Sequence, residues 1–258
     1  MGLFGFNMTL YKRRAILSEN QMRWVLVLLM PLLARGISHT TICVVTSERP
    51  VSYLERVLET FAAEGAQHMD GVGVMVVNMD NTSKVAGVVH PAGGRKMAVC
   101  DTPDVEGLPI CKVRQGTLDV TESLLMCAKE TSQWVVLAED DCEACPGSVR
   151  EMVEALGGLD AGKISMARFS KIATGVAFPV GKVEAYARHA QAHIYEKPHD
   201  FFNPSEWDSG GVVHVHARNL FHHIGSVSTI PYRNSEEYHA AYDGMRSDTC
   251  GEALPPSL

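Results

Sequence analysis

Short apolar runs alternate with amphipathic stretches along this chain, and the alternation sets the expected fold. Residues 41–47 are a continuous β-branched run (Thr41, Ile42, Cys43, Val44, Val45, Thr46, Ser47) and predict a first strand, ended by Glu48, Arg49 and Pro50. Over 51–63, apolar residues recur at Val51, Leu54, Val57, Leu58 and Phe61, a helical stripe that Gly65 closes. Valine-rich residues 72–79 predict a second strand. A strand, helix and strand of this length form a βαβ unit, expected to be parallel and right-handed. Residues 80–109 are loop-rich, with a short strand over 97–100. The segment from His90 to Arg95 reads equally as a mobile substrate loop and as a surface insertion. Residues 121–129 predict a helix with Leu124, Leu125 and Ala128 on one side.

The next run organises the rest: Trp134, Val135, Val136, Leu137, Ala138, then Glu139, Asp140, Asp141 and Cys142. A short apolar run bounded this way is a buried strand, and its carboxyl end carries three successive carboxylates. Open α/β sheets bind ligands outside the carboxyl ends of their strands. Adjacent like charges raise one another's pKa unless a cation or a basic group neutralises them. Fixed carboxylate oxygens suit magnesium or manganese, which would bridge to a nucleotide diphosphate. The competing reading is a solvated acidic loop.

Pro146 and Gly147 then open a helix over 148–156, with Val149, Met152, Val153 and Leu156 on one face. The βαβα order predicts an α/β fold, a mostly parallel sheet flanked by helices. After residue 160 the pattern shortens. Residues 163–170 alternate as a strand, 183–195 form a helix, and 212–216 alternate again. The residues beyond Pro231 are polar without a core pattern, which predicts a loose or disordered tail. The organisation is therefore a leader over 1–38, one α/β domain over 39–232 and a polar tail over 233–258.

The chain has 258 residues, 46% hydrophobic and 21% charged, which is globular composition. A formal net charge of -7 argues against nucleic acid as a partner. Seven cysteines are too few for a disulfide scaffold. Cys142 and Cys145 have C-x-x-C spacing without a second such pair for zinc. A redox site, a local disulfide and two buried thiols all remain open for them, and Cys100 could pair with Cys111.

Lys12, Arg13, Arg14 and Arg23 precede an apolar run over 24–34, shorter than the roughly 20 residues of a spanning helix. It reads as a signal peptide or signal anchor, with an ordinary buried helix as the alternative. Basic residues ahead of it favour a cytosolic start and a lumenal remainder, in the Golgi or ER lumen. Sequons stand at Asn7 and Asn81.

Several landmarks follow in fixed order: the Glu-Asp-Asp strand end, Phe169 and Ser170, Gly175, Lys197-Pro198-His199-Asp200, then Leu220, Phe221, His223, Gly225 and Ser228. This ordered set resembles the N-acetylglucosaminyltransferase IV family, which branches N-glycans, and the related enzyme that adds GalNAc to GPI anchors. Thr46, Ser47, Glu48, Arg49, Pro50, Tyr53 and Leu54 are similar to that family's first strand and helix start. Arg114, ahead of the helix with Leu124 and Leu125, resembles the Arg that precedes the acidic strand there. The resemblance spans residues 40–230. It departs at Arg168, where the branching enzymes carry a glutamate. No internal stretch is apolar enough for the membrane hairpin of the GPI enzyme.

The resemblance implies a GT-A-like (Rossmann-like) fold in a single domain and transfer of GlcNAc or GalNAc from a UDP-sugar. The acceptor would be a glycan or glycolipid. Asp141 would be the metal ligand, with Mn2+ the expected ion, and His223 a second metal or diphosphate ligand. Glu139 or Asp140 would contact ribose or a metal-bound water. Thr46 and Arg49 would lie near uridine and phosphate, and Arg114 near the diphosphate or the acidic triplet. Asp200 is the candidate base, with Glu206 and Asp208 as competitors. A non-catalytic carbohydrate-binding protein of the same fold is the alternative.

Overall fold

The computed structural model describes residues 38–47, 52–79, 110–171, 174–194, 203–225 and 249–255. The leader, both sequons, the loop over 80–109, Arg49 and Asp200 lie outside them. So does a Cys100–Cys111 pairing.

In chain order the elements are β1 (Ser38–Thr46), α1 (Leu54–Ala63), a 3-10 turn (Ala66–His68), β2 (Val72–Asn78) and α2 (Ile110–Cys127). Then come β3 (Thr131–Glu139), β4 (Cys142–Ala144), α3 (Ser148–Gly157), β5 (Ile164–Arg168) and β6 (Val176–Pro179). The last are α4 (Val180–Ala192), α5 (Pro204–Trp207), β7 (Val212–Val215) and β8 (Phe221–His223). Among the described residues six strands form one sheet in the order β2-β1-β3-β6-β5-β7, and β4 pairs with β8 in a separate two-stranded sheet. β1 is parallel to β2 and β3, and β5 to β7, while β6 runs antiparallel to both its neighbours. The sheet is thus mostly parallel, as the βαβ pattern predicts.

The continuous apolar strands are explained by burial on both faces. Ile42, Val44, Trp134, Val136 and Ala138 face α1 and α3 through Leu54, Val57, Phe61, Val149, Met152 and Leu156. Their strand neighbours Cys43, Val45, Val135 and Leu137 face α2 and α4 through Val120, Leu124, Val183 and Tyr186. Each such fully buried valine or leucine contributes about 1.5–3 kcal/mol relative to exposure. Gly65, at φ 70°, ends α1 with its N–H on the Ala62 carbonyl.

Four expectations are corrected. Helix α2 begins at Ile110, not at 121, because its buried stripe continues upstream in polar residues. Arg114, Thr117 and Thr121 occupy the inward positions, so hydrophobic periodicity stops while the helix does not. Arg114 therefore lies within this helix and not ahead of it. Helix α4 starts three residues early, directly after β6, a strand too short for periodicity to reveal. The polar tail is anchored at 249–255: Cys145 and Cys250 form a disulfide, Leu254 is buried and Ala253 bridges to Arg218.

Candidate metal centre

Glu139 closes β3, and Asp140 and Asp141 form the turn into β4. The Glu139 N–H donates to Thr174 Oγ1 (3.1 Å). Asp140 is turned toward β1, where its N–H donates to the Val45 carbonyl (3.1 Å) and its carboxylate accepts from Thr46 Oγ1 (2.6 Å). Thr46, Asp140 and Asp141 are all buried. The acidic triplet is therefore built into the carboxyl edge of the sheet and is not a solvated loop.

Antiparallel pairing of β4 with β8 sets Cys142 opposite His223. The Ile224 N–H donates to the Asp141 carbonyl (2.8 Å), and His223 Nε2 stands 3.3 Å from Asp141 Oδ2. Gly225 then passes so close to Asp141 that a side chain there would displace the carboxylate. Two metal-ligating candidates far apart in sequence thus meet. Their carboxylate and imidazole are donor types that divalent cations take.

The segment ahead of β8 is clasped by the anchored tail. Asn219, fully buried, donates its N–H to the Glu252 carbonyl (2.7 Å) and its side-chain amide to the Phe221 carbonyl (2.7 Å). The Gly251 N–H returns a bond to the Asn219 carbonyl (2.9 Å), and the Cys145 N–H donates to the Leu220 carbonyl (3.0 Å). The Cys145–Cys250 disulfide closes this clasp.

Those bonds correct the C-x-x-C reading. Cys145 is bonded to Cys250, and Cys43 on β1 to Cys127 on α2, so Cys142 and Cys145 form neither a local disulfide nor a redox pair. Cys142 is a free thiol, fully buried, 3.6 Å from Asp141 Oδ1. Burial, then the charges of Asp141 and Glu139, push this thiol well above the usual range. Asp141, Cys142 and His223 bring one donor atom each within 4.8 Å of one another.

Arg114 is buried on α2. The two competing bases have other work. Asp208 accepts from Ser165 Oγ (2.7 Å) and Lys182 Nζ (2.8 Å), and Lys182, then Ser165, hold its carboxyl below the ordinary value. Arg168 of β5 pairs with Val176, which pairs with Leu137 near the acidic end of β3. Ser165 lies three residues back along β5, about 10 Å toward the other edge of the sheet. Asp208 therefore sits away from the triplet. Glu206 closes a capping box on α5 with Asn203. Arg168 is half-buried and donates to the Lys171 carbonyl (3.1 Å).

Sequence reasoning missed Thr174, Asn219 and the ligand potential of Cys142. Only the last had a signal, its place directly after Asp141.

No protein-family model matches the chain, and no curated protein matches it.

Proposed function

We propose that this chain is a metal-dependent glycosyltransferase of GT-A-like fold that moves GlcNAc or GalNAc from a UDP-sugar to an N-glycan or GPI-anchor type acceptor in the secretory pathway. The observation that carries the reading is the meeting of Asp141 and His223 at the carboxyl edge of the central strand. That edge is where open α/β sheets hold nucleotides. In this reading Asp141 and His223 hold the cation. When bound, the cation acts as a Lewis acid toward the diphosphate leaving group.

The other residues position and move protons. Thr46 holds Asp140 and Thr174 holds the Glu139 backbone, which leaves fixed oxygens toward a ribose. Arg49 and Arg114 supply positive charge to the diphosphate. Asp200 takes the proton of the acceptor hydroxyl as it attacks the anomeric carbon, and the configuration inverts. Two disulfides suit an oxidising compartment, in line with a Golgi or ER lumenal domain held by the amino-terminal segment. Among the described residues no helix is long and apolar enough to cross a membrane.

The test is release of UDP from a panel of UDP-sugars by the purified chain with Mn2+. Asp141→Ala and chelator should each abolish it, with products identified by mass spectrometry. Release unchanged by both would reject the assignment.

A further inference from the structure

We propose that Cys142 is a third ligand of this centre, so that Asp141, Cys142 and His223 form an Asp-Cys-His site selective for a borderline-soft cation, zinc in place of manganese. The proposal rests on the metal-site reading above and deepens it.

Position comes first. Residues directly opposite in an antiparallel pair project to the same face, so the pairing of Cys142 with His223 aims thiol and imidazole at one side of the β4–β8 ribbon. Asp141, one residue earlier, reaches both. Its Oδ2 is 3.3 Å from His223 Nε2 and its Oδ1 is 3.6 Å from Cys142 Sγ. A tetrahedral ion with bonds of about 2.0–2.3 Å holds its donors roughly 3.3–3.8 Å apart, and one donor atom from each of the three residues already lies within 4.8 Å of the other two, so a small inward adjustment would close the set. Three protein donors leave the fourth position open, the pattern of catalytic rather than structural zinc sites.

Donor chemistry comes second. One carboxylate and one imidazole accept many divalent ions, but a thiolate selects zinc and disfavours manganese and magnesium. A bound cation displaces the thiol proton to solvent, leaving sulfur as the coordinating anion. The chain beside the sulfur is already held in place: Thr174 Oγ1 accepts from the Glu139 N–H, and the Ile224 N–H donates to the Asp141 carbonyl. Such outer bonds orient ligands and tune their affinity. Cys142 is a free thiol, whereas Cys43, Cys127, Cys145 and Cys250 are in disulfides.

The experiment uses the full chain with its disulfides intact and Co2+ as a spectroscopic stand-in for zinc. Wild type should develop a thiolate-to-cobalt charge-transfer absorption that zinc abolishes by displacement. Calorimetry should find zinc bound at least about tenfold more tightly than manganese. Cys142→Ser should remove the absorption and weaken zinc by about 10–100-fold while leaving manganese nearly unchanged. Loss of the absorption in that variant assigns it to this thiol and not to another cysteine. Cobalt bound by wild type without charge transfer, or zinc bound equally by wild type and the serine variant, would overturn the proposal. The wild-type spectrum decides even where the variant fails to fold. UDP release is read separately. Transfer that proceeds with manganese and is indifferent to Cys142→Ser removes the thiol ligand and leaves the transferase. A zinc–thiolate site with no UDP release from any UDP-sugar does the reverse.

Discussion

Gly225 lies against the carboxylate of Asp141: a β-carbon at Gly225 would stand 2.9 Å from Asp141 Cγ and closer still to Oδ2. The glycine is required here by space and not by backbone conformation, since its φ is not in the left-handed region. Gly225→Ala must therefore push Asp141 away from His223. Such overpacking costs about 1–3 kcal/mol, so denaturant unfolding should shift by that amount and cation affinity should fall. Gly181→Ala is the control. It sits in α4 with nothing near its β-position, so it should be neutral or stabilise by roughly 0.5–1 kcal/mol. Equal effects of the two substitutions would sink the close-approach explanation.

Thr46 and Asp140 link the ends of β1 and β3. Thr46→Val keeps the shape and removes a 2.6 Å hydrogen bond to a buried carboxylate. Bonds to charged groups contribute about 1.5–3 kcal/mol, and the stability loss should fall in that range. Thr46→Ser should recover most of it. A valine variant as stable as wild type would show that Asp140 does not need this hydroxyl.

Glu151 on α3 anchors Arg218 and His216, the residues just ahead of the clasped segment. The Arg218 hydrogen bond, with His216 behind it, lowers the Glu151 carboxyl from 4.5 to about 2. A depressed acid stabilises the fold above its unfolded pKa and loses that contribution as pH falls through the folded one. The chain should thus lose this contribution between pH 4.5 and about 2. Glu151→Gln should be less stable at pH 7 and flatter across that acid window, read as Tm against pH. Parallel acid limbs for the two proteins would contradict the linkage.

The Cys145–Cys250 disulfide holds the tail that clasps Asn219. Paired substitution of both cysteines by serine should cost about 2–4 kcal/mol. It should also weaken cation binding, because β8 carries His223. Serines at Cys43 and Cys127 remove a disulfide between β1 and α2, so they should cost stability while sparing cation affinity. If both pairs lower affinity alike, the clasp has no special hold on the site.

Local periodicity determined much of this protein. The continuous apolar runs of β1 and β3 and the helical stripes of α1 and α3 depend on neighbours in sequence, and they were legible to within a few residues. So were the acidic end of β3, His223 and Gly225. Tertiary structure decided the rest. The start of α2 was hidden because buried Arg114 and Thr117 interrupt its apolar stripe. The antiparallel insertion of β6 between β3 and β5 follows from sheet pairing that no local pattern encodes. The partner of Cys145 lies 105 residues away, and Cys142 becomes a candidate ligand only because β8 returns to pair with β4. Spacing along a chain records which face a side chain takes. Which distant segment meets that face depends on the packing of the whole core.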